Sequence, residues 1–288
     1  MRADQLLVER GMAASRSQAV RLIAGGLRWR DAGTSDAWRS VVKNKDDVPE
    51  SAELELADAA EARYVSRGGL KLEGALGVTG LDVAGKLCLD VGQSTGGFTD
   101  CLLQRGAAKV VGVDVGHGQL HARLREDERV VAIEGVNARA LSADDLREDA
   151  ADDAEQEGEA PETAEAGEAP EAAEDGEPSA PRFDLIVGDL SFISLTLVLP
   201  AVVQFLADDG QLLMLVKPQF ELQPGQVGKG GIVRDESMYA VVEKRLHDAC
   251  AALELRVLRW FDSPIAGGDG NREFFIHAVR AAKASDGS

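Results

Sequence analysis

Beyond residue 87 the chain consists of short apolar runs separated by amphipathic stretches. The runs LCLDVG, KVVGVDVG, RVVAIEG, FDLIVGDLS, GQLLMLVKP, LRVLRWF and REFFIHAVR are nearly unbroken in Val, Leu, Ile and Phe, the pattern of strands buried on both faces. Between them, residues 97–105, 119–126, 195–206 and 237–253 carry helix-forming patterns. Strand and helix in alternation predict an α/β fold with a mainly parallel seven-stranded sheet covered on both faces. The last two runs lie close together and suit an antiparallel edge.

Residues 1–60 read differently, as a small α+β module. A first helix is expected around Leu6, Leu7 and Val8, and a second within SRSQAVRLIAGGL at 15–27. Ser15 and Gln18 have capping-box spacing there, and Gly25-Gly26 ends the helix. Short β segments follow at 27–29, 40–43 and 53–56. A linker over 61–68 then leads to a larger domain spanning 69–282. Arg16, Arg21, Arg28 and Arg30 cluster near the second helix and its exit, either as a solvated face or as an anion-binding one.

The formal net charge of -19 over 288 residues argues at first against a nucleic-acid partner. The acidity is concentrated, however: residues 144–180 hold 16 Asp and Glu against one basic residue, Arg147, leaving the rest near -4. A near-neutral body can carry a local basic patch. The segment itself, with EGEAPETAEAGEAPEAAEDGEP, cannot bury enough apolar surface to offset its ordering entropy. It is expected as a disordered insertion, and as a polyanion that would compete with RNA for a basic face.

Cys88, Cys101 and Cys250 lack metal-ligand spacing, and their odd number argues against a complete disulfide framework, which points to a reduced, cytoplasmic protein. His117 and His121 stand four apart, a spacing that would put them on one helical face, with no pattern to complete a metal site, so no metal is expected. The longest apolar candidate, 193–206, is broken by Ser194, Thr196, Pro200 and Gln204 and reads as a buried helix, so no membrane partner is expected. Charges at Arg2, Asp4, Glu9 and Arg10 leave no signal-peptide apolar region.

The segment LDVGQSTGGFTD places Asp90 at the end of a first strand and Gly96-Gly97 at the start of a helix. Glycines permit a tight turn and close approach to a ligand, and the helix N-terminus favours an anionic group. Asp114 ends the second strand 22 residues after Gly92, where doubly wound folds hold a ribose diol. That much also suits a nicotinamide enzyme. The loop, however, is not G-x-G-x-x-G; it resembles the D-x-G-x-x-x-G-G-F-T loop of class I (Rossmann-like) methyltransferases. The resemblance implies S-adenosyl-L-methionine as cofactor, with Asp90 and the loop residues Gly92, Ser94, Thr95, Gly96, Gly97 and Phe98 toward its amino-acid end and Asp114 toward its ribose. Asn137, after the third strand, joins the candidate cofactor contacts.

Four further positions carry chemistry: Lys71 in YVSRGGLKLEGAL, Asp189 in DLIVGDLSFISL, Lys217 in LMLVKPQFE and Glu273 in GNREFFIHA. Two sit at or near the C-terminal ends of apolar strands, where open α/β sheets bind ligands, while Glu273 starts the last strand. Singly, each reads as a surface lysine or salt-bridge partner. Together they resemble the Lys-Asp-Lys-Glu tetrad of FtsJ-like RNA ribose methyltransferases. A ribose 2'-hydroxyl is a weak nucleophile and must lose its proton as it attacks the sulfonium methyl in line. Lys217 is the candidate for activating it. An ordinary lysine, with a pKa of about 10.4, is a poor base at neutral pH unless burial or a second cation depresses it. Lys71 is the candidate for that cation, with Asp189 and Glu273 orienting both ammonium groups.

The N-terminal pattern of Asp4-Gln-Leu-Leu-Val, Ser15-Arg16 and Ala19-x-Arg21-Leu-Ile-x-x-Gly-x-Leu27 resembles the small RNA-binding domain named after ribosomal protein S-four. The usual hairpin with an Asn-Gly turn and a Lys-Pro-Gly step is replaced by DAGTSDAWRSVVKNKDDVPE. Together with DVGQSTGGFTD, VDVGHGQLHARLREDERV, DLSFISL, KPQFE and VGKGGIVRD, this module is similar to the TlyA family over nearly the whole chain outside 144–180. Gln93 and His117 stand where that family more often shows a small residue and an aromatic. The resemblance implies 2'-O-ribose methylation of ribosomal RNA, at cytidine, with naked rRNA or ribosomal subunits as partner. It names Arg2, Arg16, Arg21, Arg28, Arg67, Lys229 and Arg234 as candidate RNA contacts. The last two lie in KGGIVRD, either a loop over the substrate or a cap for the following helix.

Three rival readings remain. A non-catalytic rRNA-binding or ribosome-assembly protein predicts decay of the tetrad or the glycine loop, and both are intact. A membrane-active haemolysin predicts a spanning or basic amphipathic segment, which is not found. A methyltransferase acting on protein or a small molecule is disfavoured by the N-terminal module.

Overall fold

The computed structural model describes residues 1–281 apart from 14, 25, 35, 57–62, 148–179, 229 and 268–269. Residues 148–179 of the acidic insertion, Lys229 and the side chain of Arg21 therefore lie outside the described residues, and so do the expectations placed on them. The insertion starts later than 144, because Leu146 is buried in the core and Asp145 accepts the Ser142 hydroxyl.

Helices α1 (Ala3–Glu9) and α2 (Arg16–Ala24) cover a three-stranded antiparallel sheet of β1 (Leu27–Arg30), β2 (Arg39–Ser40) and β3 (Glu53–Leu56), in the order β2-β1-β3. Ala3, Leu6 and Leu7 of α1 meet Ala19, Leu22 and Ile23 of α2 above Leu27, Val41 and Val48 in a small core. Ser15 Oγ accepts the Gln18 amide at 3.2 Å at the start of α2, and Gly26, at φ +105°, ends it. The β1–β3 register sets Arg28 opposite Glu55 and Arg30 opposite Glu53, and the pairs close at 2.9 and 2.6 Å. The ELEL run of β3 thus matches the arginines of β1, so part of the expected basic cluster is a cross-strand ion-pair ladder rather than a bare cationic face.

The stretch read as a linker is partly built into the large domain. Tyr64 and Val65 are buried in its core, the Val65 amide donates to Asp100 Oδ2 at 2.8 Å, and helix α3 (Arg67–Thr79) already includes Arg67 and Gly68.

The large sheet is formed by β4 (Leu87–Val91), β5 (Lys109–Asp114), β6 (Val130–Glu134), β7 (Phe183–Gly188), β8 (Leu206–Val216), β9 (Leu255–Asp262) and β10 (Phe274–Arg280), ordered β6-β5-β4-β7-β8-β10-β9. The first five in that order run parallel; β10 is antiparallel to both β8 and β9. This is the expected mainly parallel seven-stranded sheet with an antiparallel edge. Leu89, Ile186, Leu212 and Met214 face one core, beneath α6 (Leu195–Val203) and α8 (Ser237–Ala252). Cys88, Leu185, Val187 and Leu213 face the other, beneath α3 and α4 (Gly97–Gln104). Period-two alternation between two apolar environments is why these strands read as continuous apolar runs.

Two helices are shorter than expected. Of 119–126 only α5 (Ala122–Arg125) is helical; His121 caps it, its Nδ1 accepting the Arg123 amide at 3.3 Å, so His117 and His121 do not share a helical face. Helix α6 stops at Val203, because Phe205 and Leu206 are captured by pairing with Phe183. A short α7 (Pro218–Glu221) follows β8.

The chain winds from β4 outward to β6, then returns to the far side of β4 with β7, which opens a crevice at the carboxyl ends of β4 and β7. Because β10 is antiparallel, with Phe274 opposite Val216, its beginning reaches the same edge where β8 ends. Glu273 is thereby brought beside Lys217.

The packing of 63–66 on α3 depends on Gly69, where an added Cβ would lie 2.3 Å from the Tyr64 ring. Gly69→Ala is expected to lower stability by about 1–3 kcal/mol, read as a lower urea midpoint; an unchanged midpoint would mean that Tyr64 repacks freely.

Candidate active site

The crevice holds a cavity of about 590 Å³. Gly92, Ser94, Thr95, Gly97 and Phe98 form one wall, Asp114 and Asn137 the floor on the β5 and β6 side, and residues 189–193 with Lys217 the opposite wall. Two glycines have packing reasons. A Cβ on Gly92 would stand 3.1 Å from the Asp189 carbonyl, and one on Gly97 would stand 2.2 Å from Ser66 Oγ, where the starts of α3 and α4 abut. Asp114 Oδ2 accepts the Ser94 amide at 2.8 Å and Oδ1 the Gly116 amide at 2.7 Å, fixing the carboxylate at the cavity edge. Asn137 Oδ1 accepts the Arg139 amide at 3.1 Å and begins a short 3-10 turn.

Two residues assigned to cofactor contact stand behind this wall instead. Asp90 is 1% exposed, and its Oδ2 accepts the Thr99 amide at 3.0 Å and the Thr99 hydroxyl at 2.7 Å, tying the start of α4 to β4. Its Oδ1 has no hydrogen-bond partner. Burial pushes the Asp90 carboxyl up to about 7, against the opposing pull of Thr99. Gly96, at φ +89°, backs onto Leu120 and Leu124. Both act on the loop from beneath. Gln93 joins this support, its Nε2 donating to Thr99 Oγ1 at 3.0 Å.

The four catalytic candidates form a chain of alternating charge. Glu273 Oε2 lies 2.6 Å from Lys71 Nζ, Lys71 Nζ lies 4.0 Å from Asp189 Oδ2, and Asp189 Oδ1 lies 2.5 Å from Lys217 Nζ. Asp189 Oδ1 meets the Lys217 amine off the hydrogen-bonding direction, since it has no hydrogen-bond partner in line. Lys71 and Glu273 are the buried end, with side chains 9% and 3% exposed. Asp189 and Lys217 face the cavity. Burial raises the Glu273 carboxyl, and the Lys71 charge opposes the shift.

Sequence reasoning left three residues here without a role, although the quoted motifs contain them. Ser191 Oγ accepts a hydrogen bond from Lys217 Nζ at 2.8 Å. Phe192 is 90% exposed at the cavity rim, at φ +64°, with the Phe220 ring 5.0 Å away. Glu221 is buried and accepts from the Ser194 hydroxyl at 2.5 Å and the Leu195 amide at 2.7 Å. It fastens the loop after β7 to the turn after β8; burial raises its carboxyl, with Ser194 and Leu195 opposing.

The RNA-contact candidates are spread over both units. Arg16 and Arg234 are exposed. Arg2 grips Asp4 through two hydrogen bonds of 2.9 and 2.7 Å, Arg28 pairs with Glu55, and Arg67 donates to the Ala266 carbonyl at 2.9 Å. The loop before α8 is anchored by Asn271, whose Oδ1 accepts the Val233 amide at 3.0 Å. Among the described residues no group of three or more His, Cys, Asp or Glu is arranged to hold a metal ion, and no helix is long and apolar enough to cross a membrane.

Residues 64–280 match the FtsJ-like methyltransferase family. The chain is 41% identical over 280 residues to the 16S/23S rRNA (cytidine-2'-O)-methyltransferase TlyA of Mycobacterium tuberculosis, covering 96% of this chain and 88% of that protein. It is 35% identical over 282 residues to Hemolysin A of Brachyspira hyodysenteriae, covering 97% of this chain and 100% of that one. A solved structure described as a hemolysin, from Streptococcus thermophilus, superposes with a TM-score of 0.67 at 35% identity, covering 98% of this chain and 89% of that chain.

Asp90 yields a pH prediction. A carboxyl whose folded value lies above its ordinary one stabilises the fold below the carboxylate range, and the contribution is lost as pH rises through about 7. Melting temperatures of wild type and Asp90→Asn should therefore diverge across that window, wild type losing ground as pH rises. Parallel curves would mean that Asp90 does not titrate there.

Proposed function

The chain belongs to the TlyA family of FtsJ-like methyltransferases, and on that premise we propose that it methylates the 2'-hydroxyl of a cytidine ribose in ribosomal RNA, with S-adenosylmethionine as methyl donor. The observation that carries this reading is the Glu273-Lys71-Asp189-Lys217 chain, ending in an amine at the wall of a cavity suited to a nucleoside.

The cavity residues fit such a donor. Gly92 and Gly97 offer bare backbone. Asp114 spends one lone pair of each oxygen on an amide and keeps others for a diol, and Asn137 stands beside it. The bound cofactor supplies a methyl group made electrophilic by a sulfonium sulfur. Lys217 takes the proton of the attacking hydroxyl at Nζ, or steadies the charge that develops on its oxygen. Asp189 holds that amine in place while also facing Lys71. Glu273 neutralises Lys71 from the buried side.

The rim favours RNA over a small substrate. An exposed Phe192 beside Lys217 presents a face on which an unstacked base can rest. In this reading residues 1–60 form the RNA-binding domain of the ribosomal-protein-S-four type, with Arg16 there and Arg234 near the cavity domain's α8 as exposed cations, while Arg2 and Arg28 exchange Asp4 and Glu55 for phosphate. Three buried free cysteines accord with a reducing cytoplasm.

Transfer of labelled methyl from S-adenosylmethionine to ribosomal subunits and to naked rRNA tests the proposal. Lys217→Ala should lower kcat by roughly 100-fold or more while the cofactor still binds; full activity in that variant would contradict the assignment. Phe192→Ala should raise KM for RNA roughly tenfold with little loss of kcat, and an unchanged KM would remove the stacking role.

A further inference from the structure

We propose that Ser191 is a positioning residue for this reaction: its hydroxyl sets the rotation of the Lys217 amine, so that the remaining position on the nitrogen faces the substrate hydroxyl. The proposal rests on the reading of Lys217 as the activating group. Lys217 Nζ has two neighbours of different kinds. Asp189 Oδ1, at 2.5 Å, lies off the hydrogen-bonding direction; such an ion pair holds the nitrogen in place but leaves the amine free to turn about its last carbon-nitrogen bond. Ser191 Oγ, at 2.8 Å, makes a hydrogen bond with proper geometry, and that interaction is directional. With the Ser191 hydrogen bond fixing one direction on the nitrogen and the Asp189 carboxylate holding the nitrogen in place, the amine is turned toward the cavity that both Lys217 and Ser191 line.

A hydroxyl is the right group for this place. A second carboxylate would also orient the amine, but it would favour the ammonium form and withhold the lone pair. The two lysines differ in this respect. Lys71 lies between the carboxylates of Glu273 and Asp189, whereas Lys217 lies between one carboxylate and a neutral oxygen.

The backbone provides an independent sign. Phe192 follows Ser191 at φ +64°, a left-handed conformation that costs free energy for a bulky residue and persists only where the surroundings impose it. They do so here. The Asp189 amide is fixed to the Val91 carbonyl at 3.1 Å on one side, and Ser194 and Leu195 are fixed to Glu221 on the other. The strained turn lies between these anchors and directs Ser191 to Lys217 and Phe192 to solvent.

The test uses the full chain with Ser191→Ala and Ser191→Asp, with methyl transfer to ribosomal subunits measured against pH, cofactor binding by calorimetry, and side-chain amine signals of isotope-labelled lysine by NMR. Ser191→Ala should lower kcat roughly tenfold through lost orientation, leave cofactor affinity where it was, and broaden the Lys217 amine signal, identified by its absence in Lys217→Arg. Ser191→Asp should be slow at neutral pH and regain rate as pH rises, moving the rising limb of the profile upward. An alanine variant with wild-type kcat, or one slowed only through weaker cofactor binding, would overturn the proposal, as would an aspartate variant with an unmoved limb. Wild type that transfers no methyl to RNA would instead remove the underlying functional reading, and this proposal with it.

Discussion

Two ammonium groups and two carboxylates meet at the wall of the crevice, Lys71 and Glu273 closed off from water and Asp189 and Lys217 facing the cavity, and the buried pair would not be tolerable there without its neighbours. Removing one member of such a set leaves an uncompensated buried charge, which costs several kcal/mol. The alternation Glu273, Lys71, Asp189, Lys217 keeps the group neutral as a whole. It also constrains the fold, because the four residues come from α3, the ends of β7 and β8, and the beginning of β10. Parallel strands alone bring only their carboxyl ends to one edge. The antiparallel reversal of β10 brings Glu273 to that edge from the start of a strand, so the proposed chemistry draws on the mixed sheet edge.

The apolar skeleton is legible in the sequence, since strands sandwiched between two cores have no polar side to show. The tetrad is legible through its resemblance to the FtsJ-like pattern; Asp189, Lys217 and Glu273 also stand beside apolar strand runs, whereas Lys71, inside a helix, carries no such local sign. What escapes the sequence is partnership. Asp90 has the position of a ligand contact, yet Thr99 turns it into a brace beneath α4, and only the three-dimensional path of the loop reveals this. Gly96 likewise serves packing against Leu120 and Leu124. The arginines of β1 suggest a cationic face until the register of β3 sets Glu55 and Glu53 across from them. Ser191 and Glu221 stand in plain motifs, but their roles depend on atoms 26 residues or so away along the chain.

The same contrast separates the two ends of the molecule. In the cavity domain, the pairs at the crevice, Glu273 with Lys71 and Asp189 with Lys217, are mostly buried and directed at one point. On the N-terminal sheet they are exposed, with Arg28 and Glu55 each more than two-fifths accessible, and such pairs contribute little to stability. Exposed pairs exchange partners readily, so a surface that looks neutral in the free protein can still turn its arginines to phosphate. A formal net charge of -19 is therefore a poor guide to what the protein binds.

Nucleoside mass spectrometry of ribosomal RNA after incubation of subunits with the protein and S-adenosylmethionine tests the central claim most directly, because it reads the atom that receives the methyl group. The account predicts 2'-O-methylcytidine as the new product. A methyl group on a base, or on protein with the RNA untouched, would contradict the assignment of the buried charge chain to activation of a ribose hydroxyl.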